Sequence, residues 1–423
     1  MALAAAFAGS TQCVPPANAV TPPPVDSTRL PAPAPAAPTH PTVQREVCTV
    51  PTPDPGVSAH QLDGLELPAV RALSRGAGQR VAVIDTGVAP HRRLPGLVGG
   101  GDYVFTGDGT QDCDGHGTLV AGIIGAAANP ATDRFSGLAP LATVIAIRQS
   151  SARFATTGDA PGVGDVDTLA KAVRTAADLG ASVINISAVA CRPAGSGLDD
   201  RALGAALAYA VEVKHAVVVA AAGNTDDGCE AGMIVTPAWY DDYVLTVGSV
   251  DSRGAPSVFS LPGPWVDVAA PGEGVLSLST VGDATATTLG GSPVHGTSFA
   301  APVVSGLAAL IRSRFPDWAP RQVTDRIKAT AHHPPGGRDD AVGAGVVDPL
   351  AAVSLDATAA PPAPAPPAPR RPVAEPAQPA AGPTGLRTAG AGTVALLAVL
   401  AVAVTARLAA RLRRREPAAP APD

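Results

Sequence analysis

Apolar residues in this chain gather in short unbroken runs, at 81–85 (VAVID), 143–147 (TVIAI), 182–187 (SVINIS), 216–224 (AVVVAAAGN) and 244–250 (VLTVGSV). Runs of this length without polar alternation suit strands covered on both faces. The stretches between and after them carry apolar residues three and four apart. They predict helices from His116 to Ala128, Val166 to Leu179, Leu198 to Val213, Ser298 to Arg314 and Pro320 to Ala329. Strands and helices in alternation imply an α/β fold of three layers, a mostly parallel sheet between helices, within one domain over 60–356.

The flanks differ in kind. Residues 20–59 form a Pro-rich extension too interrupted to pack a core, and residues 357–387 read as a second Pro-rich segment, a linker. Beyond it, 388–406 carries no charge and is long enough for one transmembrane helix. The tail 407–423 opens with RLAARLRRR, which the positive-inside rule keeps cytoplasmic, so the large domain is expected outside the cell membrane. Residues 1–19 end in Ala17-Asn18-Ala19, the small-residue pattern of a signal-peptide cleavage site, without a basic start. A start codon placed too far downstream would account for that gap.

Composition narrows the class. The hydrophobic fraction of 46% rests on Ala and Val, with aromatics at 3%, as suits small-residue helices packed on a parallel sheet. A net charge of −6 gives no reason to expect nucleic acid as a partner. The five cysteines, at 13, 48, 113, 191 and 229, include no CxxC pair, which argues against a zinc site. With Cys13 in a removed leader, four remain for two disulfides outside the cytoplasm.

Four motifs carry chemistry. Asp85 ends a buried run and opens a Thr-Gly turn; alone, such an Asp is as readily a cap or turn residue. His116 stands between Gly115 and Gly117 at the start of a small-residue helix (DGHGTLVAGI), where the glycines give the imidazole clearance. Ser298 opens the helix of HGTSFAAPVVSGLAALI, where unpaired backbone N–H groups can stabilise an oxyanion. Pro302 inside that helix sits badly with a plain capping serine. Asn224, ending VVVAAAGN, brings an amide donor to another strand terminus.

Together these resemble the subtilisin-like serine proteases. The order Asp, His, Ser along the chain is theirs, and D-T-G, D-G-H-G-T and G-T-S-x-A-x-P stand intact at 85–87, 114–118 and 296–302. The resemblance implies a subtilisin-like fold, with Ser298 attacking the peptide carbonyl, His116 as general base and then acid, and Asp85 orienting the imidazole. Asn224 and the Ser298 N–H would form the oxyanion hole. A closer resemblance is to the mycosins, membrane-anchored subtilases of actinobacterial type VII secretion systems. It is carried by the Pro-rich extension, DCDGHGT, a Cys after both NIS and AAGN, and the linker before one C-terminal helix. That likeness implies a Cys191–Cys229 bridge at the active-site edge, which leaves Cys48 for Cys113; sequence alone leaves the other pairing open.

Two departures restrict the expected activity. The extension does not read as a compact chaperone prodomain, so autocatalytic activation is not expected. Where many subtilases have S-L-G-G along the substrate cleft, this chain has Ser187-Ala188-Val189-Ala190, whose side chains narrow the groove. Few substrates are expected, among them secreted proteins with one exposed site, and the resemblance makes a type VII secretion membrane complex the expected partner. The alternative role is a structural subunit stabilising that complex without proteolysis. No loop has a recognisable calcium-ligand spacing, so no metal or other cofactor is expected; Asp226-Asp227 and Asp339-Asp340 read as solvated surface carboxylates.

Overall fold

Seven strands supply the central sheet of the computed structural model, which describes residues 22–53, 60–158, 162–193, 196–197 and 199–354. They are β1 (Arg80–Asp85), β2 (Val98–Asp102), β3 (Thr143–Arg148), β4 (Val183–Ile186), β5 (Val217–Ala221), β6 (Val244–Val250) and β7 (Val268–Pro271). Their order is β7-β6-β5-β4-β1-β3-β2, with every neighbouring pair parallel. After β1 the chain runs to the edge strand β2 and returns to place β3 between them, then crosses to the other side of β1 and builds β4 to β7 outward. β1 therefore lies at the switch point, where folds of this class open a crevice at the carboxyl ends of the strands.

Side-chain alternation along each strand feeds two cores. The helices are α1 (Leu67–Leu73), α2 (His116–Gly125), α3 (Val166–Asp178), α4 (Arg201–Ala208), α5 (Thr297–Arg314), α6 (Pro320–Thr330) and α7 (Pro349–Val353). Val81 and Val83 of β1 pack with Leu119 and Ile123 of α2 and Val303 and Leu307 of α5. Ala82 and Ile84 point the other way, to Leu169 and Val173 of α3 and Leu203 and Leu207 of α4. The expected three layers follow from this period of two.

The expected elements shift at their ends. α2 stops at Gly125 rather than Ala128. α4 starts at Arg201 rather than Leu198, and the last part of the expected helix, Tyr209–Val213, is a π-helix that follows it. Two strands fall outside the expected runs, β2 because it is mostly glycine and β7 because its apolar run, Val268-Ala269-Ala270, breaks off at a proline. β2 (VGGGD) and β7 (VAAP) are the edges of the sheet, where glycines and a terminal proline are tolerated.

The Pro-rich extension lies along the domain. Thr42–Gln44 pairs antiparallel with Phe154–Thr156, and Thr52 bridges to Thr288. Cys48 is bonded to Cys113 and Cys191 to Cys229, the pairing the resemblance implies. The leader at 1–19, the linker at 357–387, the apolar stretch at 388–406 and the tail at 407–423 lie outside the described residues. Among the described residues no helix is long and apolar enough to cross a membrane.

Candidate active site

Asp85 is the last residue of β1 and is 2% exposed. Its Oδ1 accepts from the Thr86 backbone N–H and from His116 Nδ1, each at 2.7 Å. A carboxylate on Nδ1 fixes the tautomer that leaves Nε2 free to accept a proton.

His116 opens α2 because of what surrounds it. Gly115 caps the helix with φ +82°, a conformation a side chain resists, and a Cβ on Gly117 would lie 2.0 Å from the Gly87 carbonyl oxygen. The loop before it is organised by Asp112. That carboxylate accepts from Thr86 Oγ1 and the Gly115 N–H at 2.8 Å, and from the Thr118 N–H and Oγ1 at 2.9 and 2.7 Å. Thr86 Oγ1 in turn accepts from the Gly117 N–H at 3.0 Å. The Asp85 turn and the His116 helix are thereby joined through one half-buried carboxylate. Burial works to lower the His116 pKa, but the charge of Asp85, its hydrogen bond, and the charges of Asp112 and Asp114 outweigh it and hold the imidazole above its ordinary value.

Ser298 is the second residue of α5, in the first turn, where backbone N–H groups have no partner within the helix. The next residue, Phe299, brings its ring to 4.8 Å from that of His116, tilted by 49°. Pro302 has no N–H to give the Ser298 carbonyl, and Ser187 Oγ donates to that oxygen at 2.8 Å instead. Asn185 Nδ2 donates to Ser187 Oγ and Ser305 Oγ donates to Asn185 Oδ1, both at 2.8 Å. A buried polar chain thus ties β4 to the helix of Ser298.

Asn224 follows β5 and is held to the same helix start. Its Oδ1 accepts from the Thr297 N–H at 3.0 Å and Thr297 Oγ1 at 2.9 Å, while Nδ2 donates to Asp227 at 2.8 Å. Asp85, His116, Ser187 and Ala188 line an open cleft of about 630 Å³ with Thr49 of the extension on its wall. Val189 is half-buried and packs in an apolar cluster with Cys229, Val235 and Leu261, so of the three expected cleft residues it turns inward.

Sequence reasoning missed Asp112, Thr86 and Thr297. Thr86 and Thr297 stand next to Asp85 and Ser298, and Asp112 stands four residues before His116, but only the fold gives each its partner. Asp226 and Asp227 are exposed as expected, yet they are not merely solvated: Asp226 pairs with His295 at 3.3 Å and Asp227 with Asn224. Asp339 and Asp340 are surface groups.

Comparison with known proteins agrees with this architecture. The model of the Subtilase family matches residues 76–345. Mycosin-4 of Mycobacterium tuberculosis is 62% identical over 365 residues, covering 81% of this chain and 80% of that protein. Subtilisin DY of Bacillus licheniformis is 36% identical, covering 61% of this chain and 85% of that protein. The structure of MycP3 protease from the type VII (ESX-3) secretion system is 44% identical with a TM-score of 0.74, covering 80% of this chain and all of that one. A chain of the intact ESX-5 inner membrane complex is 40% identical with a TM-score of 0.76, covering 92% of this chain and all of that one. Agreement of this extent, in sequence and in fold, makes the chain a serine endopeptidase that belongs to the subtilase family and, within it, to the mycosins.

Proposed function

We propose that this chain is a membrane-anchored endopeptidase of narrow specificity that works within a type VII secretion apparatus, with Asp85, His116 and Ser298 as its catalytic triad. The observation that carries the chemistry is the 2.7 Å bond from His116 Nδ1 to the buried Asp85. Nε2 is left to take the Ser298 proton as Oγ attacks the peptide carbonyl, and Asp85 stabilises the imidazolium that results. The oxyanion is received by Asn224 Nδ2 and the Ser298 N–H at the start of α5. His116 then returns the proton to the leaving amine, and water, activated by the same imidazole, releases the acyl group.

The setting is supported by the ESX-5 inner membrane complex. Coverage of this chain rises from 80% for MycP3 protease to 92% for the chain of that complex. The apolar stretch 388–406 and the arginines after it supply the anchor and its orientation, with the protease domain outside and the C-terminus cytoplasmic. Ser187 and Ala188 on the cleft wall favour a few protein substrates over general digestion.

The test is Ser298→Ala beside deletion of the whole chain. The variant is expected to lose hydrolysis by about 10⁶-fold, the loss measured in a subtilisin, with its melting temperature unchanged. Retained hydrolysis would overturn the assignment of Ser298. Secretion that fails in the deletion yet is normal in the variant would assign the required role to the complex rather than to cleavage.

A further inference from the structure

The acidic pair at 226–227 sits on the oxyanion loop. Asp226 Oδ2 is 3.3 Å from His295 Nε2, just before the Ser298 helix, and Asp227 Oδ2 accepts from Asn224 Nδ2 at 2.8 Å. The orientation of that amide is unambiguous. A backbone N–H can only donate, so the oxygen of Asn224 faces Thr297 and the nitrogen faces Asp227. The Thr297 hydroxyl, at 2.9 Å, holds the oxygen a second time. Asp227 is therefore not needed to orient the amide. What it adds is a carboxylate one hydrogen bond away from the nitrogen that must receive the oxyanion. It occupies one of the two N–H groups of Asn224. An oxyanion on the other would lie about 5 Å from that carboxylate, given hydrogen bonds of about 2.9 Å set about 120° apart. Like charges at that separation repel appreciably even near a protein surface.

We propose that Asp227 restrains acyl transfer at Ser298 by holding a negative charge against the Asn224 amide nitrogen. This rests on the reading of Asn224 and Ser298 as the oxyanion site. The restraint belongs to the resting fold. Thr225–Asp227 form a single 3₁₀ turn closed by Gly228 at φ +82°, and the Asp226–His295 contact ties that turn to the segment leading into α5. Asp227 acts through Asn224 and on the developing charge, so it is a positioning residue rather than a catalytic one. Asp227→Asn keeps an acceptor in place and removes the charge; Asp227→Ala removes both.

The experiment is the second-order labelling rate of the purified full chain by a fluorophosphonate probe. Ser298 Oγ bonds to phosphorus, fluoride leaves, its proton passes to His116, and negative charge builds on the phosphoryl oxygen. Both variants are expected to label about 3–10-fold faster than the wild type at about 10 mM salt. The gap should close at about 1 M salt, where the screening length falls to about 3 Å. Variants that label no faster at low salt, or faster by a factor that salt does not change, would overturn the proposal. A wild type that is not labelled, or Asn224→Ala labelled as fast as the wild type, would overturn the oxyanion-site reading and the proposal with it.

Discussion

His116 is surrounded by three carboxylates, and its titration follows from them. Asp85 touches the ring, while Asp112 and Asp114 act through their charges, so the imidazole pKa lies above its ordinary value of 6.5 in spite of burial. A general base works only when neutral. Labelling of Ser298 is therefore expected to rise with pH through a midpoint above 6.5, and Asp114→Asn should move that midpoint down by removing one of the raising charges. A midpoint that Asp114→Asn leaves in place, measured as labelling rate against pH, would contradict this electrostatic account. At this scale much was legible. The three motif residues and Asn224 could be read because backbone demands fix the glycines and small residues around them. Asp112 could not, because its partners Thr86 and Thr118 are recognised only once the β1 turn lies over the start of α2.

Helix α5 joins sequence and site most directly. Pro302 looked anomalous in the chain, and the structure gives the anomaly a partner: the carbonyl it leaves open belongs to Ser298 and is taken by Ser187. Ser187→Ala would leave that carbonyl without its bond, at a cost of about 1–3 kcal/mol. For a domain of this size that corresponds to a melting temperature lower by several degrees, with Ser298 labelling slowed as the helix start loosens. An unchanged melting temperature would show that the Ser187 bond is dispensable. The extension makes a second element-scale link. Cys48 and Cys113 are 65 residues apart, and their bridge constrains the unfolded chain by about 4 kcal/mol on the chain-entropy account. Replacing both by Ser should lower the denaturation midpoint accordingly and free the Thr49 wall of the cleft; equal midpoints in denaturant titration would refute it. The longer strands were legible as apolar runs, whereas β2 and β7 were not: β2 is largely glycine and partly exposed, and β7, though buried, has only Val268-Ala269-Ala270 before its proline.

At the scale of the whole chain, composition sets a core-forming stretch apart from Pro-rich sequence on either side, but it does not reveal that the N-terminal Pro-rich segment is held to the domain through Thr42–Gln44 and Cys48. The reading of 388–406 as an anchor has a direct check. The full chain should stay in the membrane pellet through alkaline carbonate extraction, and a chain ending at Arg387 should be released; release of both would remove the anchor from the account. The sheet itself has a consequence for how long the enzyme lasts. Parallel neighbours cannot be joined by hairpins, and Val81 of β1 must wait for Val183 of β4 before that part of the sheet closes. Folding through such distant pairings is slow, and at a given stability unfolding is slowed in proportion. In the extracytoplasmic setting proposed above, where no chaperone uses ATP to restore a lost fold, the survival of this protease is then set by a rate of opening rather than by the depth of its free-energy minimum.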